Sequence, residues 1–281
     1  MTVKLIAIDL DATLLKNDKT YDKEAFHQAA EALMDQGVII CIATGNVEHR
    51  LVSYFDDDMK EKLYLAADNG NYLFKKDQMI HTVSVPKKDF NKVLNYISDK
   101  EGVKAAVSTG KMPYVLESDL TPQVEELFHI YFDYMEKLNS FDELPEDLPI
   151  IKVAMHTEYG LDENKKMVDE LIAILDNSTA VTSGGGWLDV YHEAGGKGTA
   201  VEYLQKKYGI SPAETLCFGD SLNDASMMEK AELTVALSNA DQDLKDMCAY
   251  EIASNEDQAV TGLLEQLAEN NTVSILEKYK K

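Results

Sequence analysis

Residues 3–15 read VKLIAIDLDATLL. The run VKLIAI is short and apolar apart from Lys4, the pattern of a strand buried on both faces. It ends in two aspartates, Asp9 and Asp11, with one leucine between them. In an open parallel sheet, ligands bind beyond the carboxyl ends of the strands, which is where Asp9 stands. If the chain turns after the strand, both carboxylates can face one point. Taken alone, the pair also suits an aspartate-rich turn or a helix cap.

Working outward, Phe26, Ala29, Ala30 and Leu33 recur at helical spacing and Gly37 stops that helix. VIICIA (38–43) and LYLAA (63–67) are two further buried strands. Strand, helix and strand with short connections predict a parallel sheet covered by helices. The C-terminal third repeats the alternation, with a helix in GTAVEYLQKKYG, a strand in TLCFG (215–219) and a strand in AELTVAL. Residues 85–191 differ in texture and hold five of the six prolines. A hairpin about Gly110-Lys111, a strand in IIKVAMHT and two strands joined through glycines in TAVTSGGGWLDVYH describe an inserted α+β module. The expected division is 1–84 and 192–281 for an α/β core and 85–191 for the insertion.

Composition bounds the chemistry. A net charge of −23 over 281 residues repels nucleic acid and anionic membranes, so neither is expected as a partner. An anionic ligand would have to be held by local positive charge or a metal, and the closing EKYKK is expected to be a solvated tail. The chain has no apolar run long enough to span a membrane, and charge appears too early for a signal peptide. Three widely spaced cysteines, Cys41, Cys217 and Cys248, read as buried free thiols. A cytoplasmic protein is expected.

Three more segments bear on Asp9 and Asp11. GDSLNDASM places Asp220 directly after a strand and Asp224 four residues on. These two could simply cap a helix, yet paired aspartates at two βα junctions repel unless a cation lies between them. Oxygen ligands with room for water favour Mg²⁺. ATGN (43–46) follows another strand, where Thr44 offers a hydroxyl and Gly45 close backbone approach. A helix starting there would aim N–H groups at an anion. Lys197 in EAGGKGTA opens a helix, but the segment lacks the spacing of a nucleotide-binding P-loop.

Together, DLDATL, ATGN, Lys197 and GDSLNDASM resemble, in order, the four motifs of the haloacid dehalogenase superfamily. NG (69–70), VALSNA and SNEDQAV resemble its Cof-type (subclass IIB) branch. The resemblance implies a Rossmann-like core with an α+β cap inserted after the third core strand. It implies a Mg²⁺-dependent phosphatase of small phosphorylated metabolites, sugar phosphates foremost. Asp9 would be the nucleophile that accepts the phosphoryl group, and Asp11 the general acid/base. Mg²⁺ would be held by Asp9, the carbonyl of Asp11 and Asp220, with Asp224 nearby or through water. Thr44, Gly45, Lys197 and Asn223 would bind the phosphoryl group. Ala12 stands where this branch usually has Gly, and Asn46 where it commonly has Arg. Asn46, Trp187, Tyr191, His192 and Glu193 are candidate substrate contacts, although Trp187 and Tyr191 equally suit cap packing. A phosphomutase using the same aspartates and a non-catalytic phospholigand-binding regulator are the alternatives. The substrate's identity and the oligomeric state are left open.

Overall fold

The computed structural model describes every residue except Asp133 and Gly185, and only the backbone of Ile130, Tyr131, Leu161, Ser183 and Gly184. The chain opens with β1 (Leu5–Asp9), α1 (Lys23–Asp35), β2 (Ile39–Ala43), α2 (Glu48–Ser53) and α3 (Asp57–Lys62). Strands β3 (Tyr64–Ala67), β4 (Tyr72–Lys75) and β5 (Gln78–Thr82) follow. Next come α4 (Lys87–Ile97), β6 (Val103–Ser108), β7 (Pro113–Leu116), α5 (Pro122–Tyr131), β8 (Glu136–Leu138) and β9 (Lys152–Thr157). Helix α6 (Leu161–Ile174), β10 (Ser178–Gly184) and β11 (Trp187–His192) complete this stretch. The C-terminal part comprises α7 (Lys197–Tyr208), β12 (Thr215–Gly219), α8 (Ala225–Met228), β13 (Leu233–Leu237), α9 (Gln242–Met247), β14 (Tyr250–Ile252) and α10 (Ala259–Glu269).

The chain divides into two units. The first holds Met1–Asn46, Leu51–His81 and Gly196–Lys281, the second Val47–Arg50 and Thr82–Gly195. The expected insertion, 85–191, falls inside the stretch Thr82–Gly195 of the second unit. Val47–Arg50 also count with the second unit because Val47 joins an apolar cluster with Val115, Phe128 and Trp187.

In the first unit, the described strands form one sheet in the order β14-β13-β12-β1-β2-β3-β4-β5. The central pairings are parallel, and β1, β12 and β13 are wholly buried, as continuous apolar runs require. The sheet departs from the all-parallel expectation at one edge. Strand β4 returns antiparallel to β3, because Asp68, Asn69 and Gly70 all take positive φ and reverse the chain in a tight turn. The C-terminal residues are exposed at Glu277, Lys278, Lys280 and Lys281, as expected of the closing EKYKK, but do not form a free tail. They turn back over 273–279 with Leu276 buried, and Lys280 bridges antiparallel to Tyr250 on the edge strand β14.

In the second unit, a sheet runs β10-β11-β9-β6-β7-β8. The predicted hairpin at Gly110-Lys111 joins antiparallel β6 and β7. The glycine-rich join of antiparallel β10 and β11 carries a register shift between Thr182 and Gly184, and its Gly185 lies outside the described residues. No described helix is long and apolar enough to cross a membrane.

Candidate active site

Strands β1, β2, β3 and β12 all end at the same side of the parallel sheet, and the first unit's chemistry-bearing residues gather there. After β1 the chain does not enter a helix. Leu10–Leu14 form an irregular turn closed by the Leu15 N–H donating to the Leu10 carbonyl at 2.8 Å. Ala12 sits in it at φ 56°, a left-handed conformation that costs an alanine about 1 kcal/mol more than a glycine.

Asp9 is 3% exposed and Lys197 1%. The Lys197 ammonium donates to Asp9 Oδ1 at 2.5 Å and to Asp224 Oδ1 at 2.6 Å. Asn223 Oδ1 lies 3.4 Å from the same ammonium. Asp224, fully buried, spends its other oxygen on the backbone N–H groups of Asp220 (2.9 Å) and Ser221 (3.2 Å). Asp220 accepts from the Thr13 hydroxyl at 3.3 Å.

Burial raises the Asp9 pKa well above the usual carboxylate value, and the Asp224 carboxylate raises it further against the pull of Lys197. Burial and then Asp224 push Asp220 up to about 6. Burial alone would depress the Lys197 pKa, but Asp9 and Asp224 outweigh it and hold the ammonium charged.

Three carboxylates around one lysine leave an excess of negative charge. Asp9, Asp220 and Asp224 each offer an oxygen within 4.8 Å of the others, a hard-donor set suited to a divalent cation. Since both Asp224 oxygens are already engaged, its first task is to hold Lys197 and the Asp220 turn.

Thr44 is buried. Its Oγ1 accepts from the Asn46 backbone N–H at 3.2 Å and from Asn46 Nδ2 at 3.1 Å, which leaves the hydroxyl proton available to a ligand. The helix expected at Gly45 starts only at Glu48, so Thr44–Asn46 act as a loop and not as a helix N-terminus. A side chain at Gly45 would meet Asn69 Oδ1 at 3.1 Å. Asn69 in turn accepts from Asn223 Nδ2 at 3.4 Å.

Asp11 does not join the Asp9 cluster through its carboxylate. Its Oδ2 accepts from Asn46 Nδ2 at 2.6 Å and its Oδ1 from Lys19 Nζ at 2.7 Å.

The segment 68–71 is a site element that sequence reasoning left without a role. Gly70, at φ +79°, passes so close to α7 that a Cβ would come within 2.6 Å of the Lys197 Cα. Asn71 Oδ1 accepts from the Gly196 N–H at 3.0 Å. Thr13, Lys19 and Ser226, which accepts from the Gly198 N–H at 3.0 Å, were missed too. Only the Asn-Gly turn dipeptide carried a local signal.

The remaining candidates belong to the second unit. Trp187 is 6% exposed and packs in that unit's interior, its ring 5.5 Å from Phe128 and 5.3 Å from His156. Tyr191 is half-buried, and burial followed by the Asp189 charge raises its pKa. His192 Nδ1 accepts from the Ala194 N–H at 3.0 Å, and Glu193 is exposed.

Comparison with known proteins gives this arrangement its family. The family model described as haloacid dehalogenase-like hydrolase matches residues 6–264. The chain belongs to the haloacid dehalogenase-like hydrolases. Its branch is the Cof type that its motifs resemble, and membership makes it a hydrolase of phosphate monoesters. It is 26% identical over 274 residues to the 5-amino-6-(5-phospho-D-ribitylamino)uracil phosphatase YbjI of Escherichia coli K12, covering 95% of this chain and 97% of that protein. A solved structure from Streptococcus mutans UA159 superposes with TM-score 0.81 at 24% identity, covering 96% of this chain and all of the other. The subclass IIB sugar phosphatase BT4131 superposes with TM-score 0.74 at 20% identity, covering 94% and 99%.

Proposed function

We propose that this hydrolase is a Mg²⁺-dependent phosphatase of small phosphorylated sugars or polyols, working through an aspartyl-phosphate on Asp9. The observation that carries the reading is the buried Lys197 ammonium set between Asp9 and Asp224, with Asp220 beside them. A phosphate monoester brings more negative charge to a carboxylate nucleophile, so attack needs cations on both partners. Lys197 supplies one within the chain. Mg²⁺, held by Asp9 and Asp220 with the Asp11 carbonyl, would neutralise phosphoryl oxygens and the attacking carboxylate.

An Asp9 oxygen attacks phosphorus and the ester P–O bond breaks. Asp11 gives its proton to the leaving oxygen, so the alcohol departs neutral. Thr44, the Gly45 backbone, Asn223 and Lys197 hold the phosphoryl oxygens during transfer. Water then attacks the phosphorus of the aspartyl-phosphate, Asp11 takes its proton, and inorganic phosphate leaves with Asp9 restored.

The ribityl phosphate named for the Escherichia coli relative supports a polyol or sugar phosphate as substrate. Residues of the inserted unit, among them Tyr191, His192 and Glu193, would then choose among such substrates. Three free, buried cysteines suit a reducing cytoplasm.

The test is phosphate release from p-nitrophenyl phosphate and a panel of sugar and polyol phosphates, with Mg²⁺ or EDTA, for the wild type and Asp9→Asn. Turnover that needs Mg²⁺ and disappears in Asp9→Asn is the expected result. A folded, Mg²⁺-loaded wild type that releases no phosphate would sink the reading. Isomerised sugar phosphate without free phosphate would instead make the chain a mutase.

A further inference from the structure

A carboxyl group that gives a proton to one oxygen and then takes one from water must keep a defined orientation. Asp11 sits in an irregular turn, so no helix or strand sets its direction. Two donors do. Lys19 Nζ lies 2.7 Å from one carboxylate oxygen and Asn46 Nδ2 2.6 Å from the other. An ionised carboxylate only accepts hydrogen bonds, so the Asn46 amide must present its nitrogen to it. That same nitrogen lies 3.1 Å from Thr44 Oγ1. One asparagine therefore ties the proton-carrying carboxylate to the phosphoryl-binding hydroxyl.

Lys19 reaches Asp11 from a turn built to hold it. Its backbone takes φ +65°, its N–H donates to the Lys16 carbonyl at 2.9 Å, and Asp18 fixes the next residue through the Thr20 N–H and hydroxyl. The Lys19–Asp11 pair is partly exposed, with side chains 49% and 36% accessible. Such exposed pairs contribute little to stability. What this one fixes is direction.

Resting on the phosphatase reading above, we infer that Asn46 and Lys19 are positioning residues for Asp11. They aim its carboxyl at the departing oxygen, and so make the enzyme competent for leaving groups that cannot go without a proton. Sugar and polyol alkoxides are of that kind, whereas p-nitrophenolate leaves unaided.

The experiment compares kcat/KM for a sugar phosphate and for p-nitrophenyl phosphate in the wild type, Asn46→Ala, Lys19→Gln, Lys19→Arg, Asp11→Asn and Asp11→Asn/Asn46→Ala. This parameter covers the steps through departure of the leaving group, where the proton is given. Losses that Asn46→Ala causes through Thr44 fall on both substrates and cancel in the ratio. Since general acid catalysis contributes 10²–10⁴-fold, Asn46→Ala and Lys19→Gln are expected to lose about tenfold more on the sugar phosphate than on the aryl phosphate. Lys19→Arg should restore the ratio, and in the Asp11→Asn background Asn46→Ala should not move it.

Equal losses on both substrates, or a gain on the sugar phosphate, would overturn the inference. Lys19 is half exposed, so Lys19→Gln keeps the test decisive even if Asn46→Ala melts below the assay temperature. A wild type inactive on both substrates refutes the phosphatase reading and the inference with it. An active wild type whose ratio does not shift in the variants refutes the inference alone.

Discussion

Lys197 shows how much one side chain can carry. Its ammonium is buried against two carboxylates, Asp9 and Asp224, and among the described residues no other lysine or arginine is so deeply buried. Replacing it with the similarly shaped Met leaves both aspartates in low dielectric without a counter-charge. In metal-free protein near neutral pH, Lys197→Met is expected to cost about 3–5 kcal/mol. A denaturant melt checks this, and part of the loss should return at acidic pH, where the carboxylates take up protons. If Lys197 holds the phosphoryl oxygens as proposed, its loss should also lower kcat by about 10²-fold or more, even with Mg²⁺ in excess.

At the scale of elements, the site depends on how closely the start of α7 lies on α8. A Cβ on Gly198 would come within 2.1 Å of the Ser226 carbonyl oxygen, a backbone atom that cannot step aside alone. Gly198→Ala must therefore push α7 away from α8, and Lys197, its neighbour, moves with it. The substitution is expected to cost about 1–3 kcal/mol as overpacking and to lower kcat more than it raises KM. Thermal melts and steady-state kinetics would show both. A variant as stable and active as the wild type would mean that the two helices part without disturbing the site. Gly70 also lies close, a Cβ there coming within 2.6 Å of the Lys197 Cα, so both the 68–71 turn and α8 crowd the backbone that carries the lysine.

For the molecule as a whole, a surplus of acid around the site couples stability to pH and to metal. Asp220 has its pKa raised to about 6 in the folded chain, by burial first and the Asp224 charge second, against about 3.9 when unfolded. Below about 4 both states are protonated and the group's contribution is fully present. As pH rises towards 6 the unfolded chain releases its proton first, and the contribution is lost. Above 6 the folded protein holds an unwelcome charge. Because Asp220 is partly open to solvent, that cost is on the order of 1–2 kcal/mol. Metal-free Asp220→Asn should therefore exceed the wild type in melting temperature at pH 7.5 and not at pH 4.5. Mg²⁺ should stabilise the wild type, more at pH 7.5 than at pH 5.5 because protons compete for the same oxygens. It should do little for the variant. Differential scanning calorimetry with and without EDTA reads all of these.

Much of this protein was decided by its sequence alone. The runs at 3–8, 38–43 and 215–219 are short and apolar, the pattern of strands buried on both faces of a parallel sheet. Aspartates and a threonine placed directly after them must then stand at its carboxyl edge. The family followed from four motifs in order. Other features depended on residues far apart in the chain. The antiparallel return at β4 rests on three successive positive φ values, which Asn-Gly only hints at. That Trp187 packs in its unit's interior depends on Phe128 and His156, residues on other elements. The separate paths of Asp9 and Asp11 were also invisible locally. A one-residue spacing says they are neighbours, but Lys197, 188 positions later, claims one carboxylate, while Asn46 and Lys19 claim the other. Hydrophobic periodicity is a local property and survives in a string of letters. The direction of a charged side chain is set by whichever donors the fold brings to it, and only the tertiary structure supplies those.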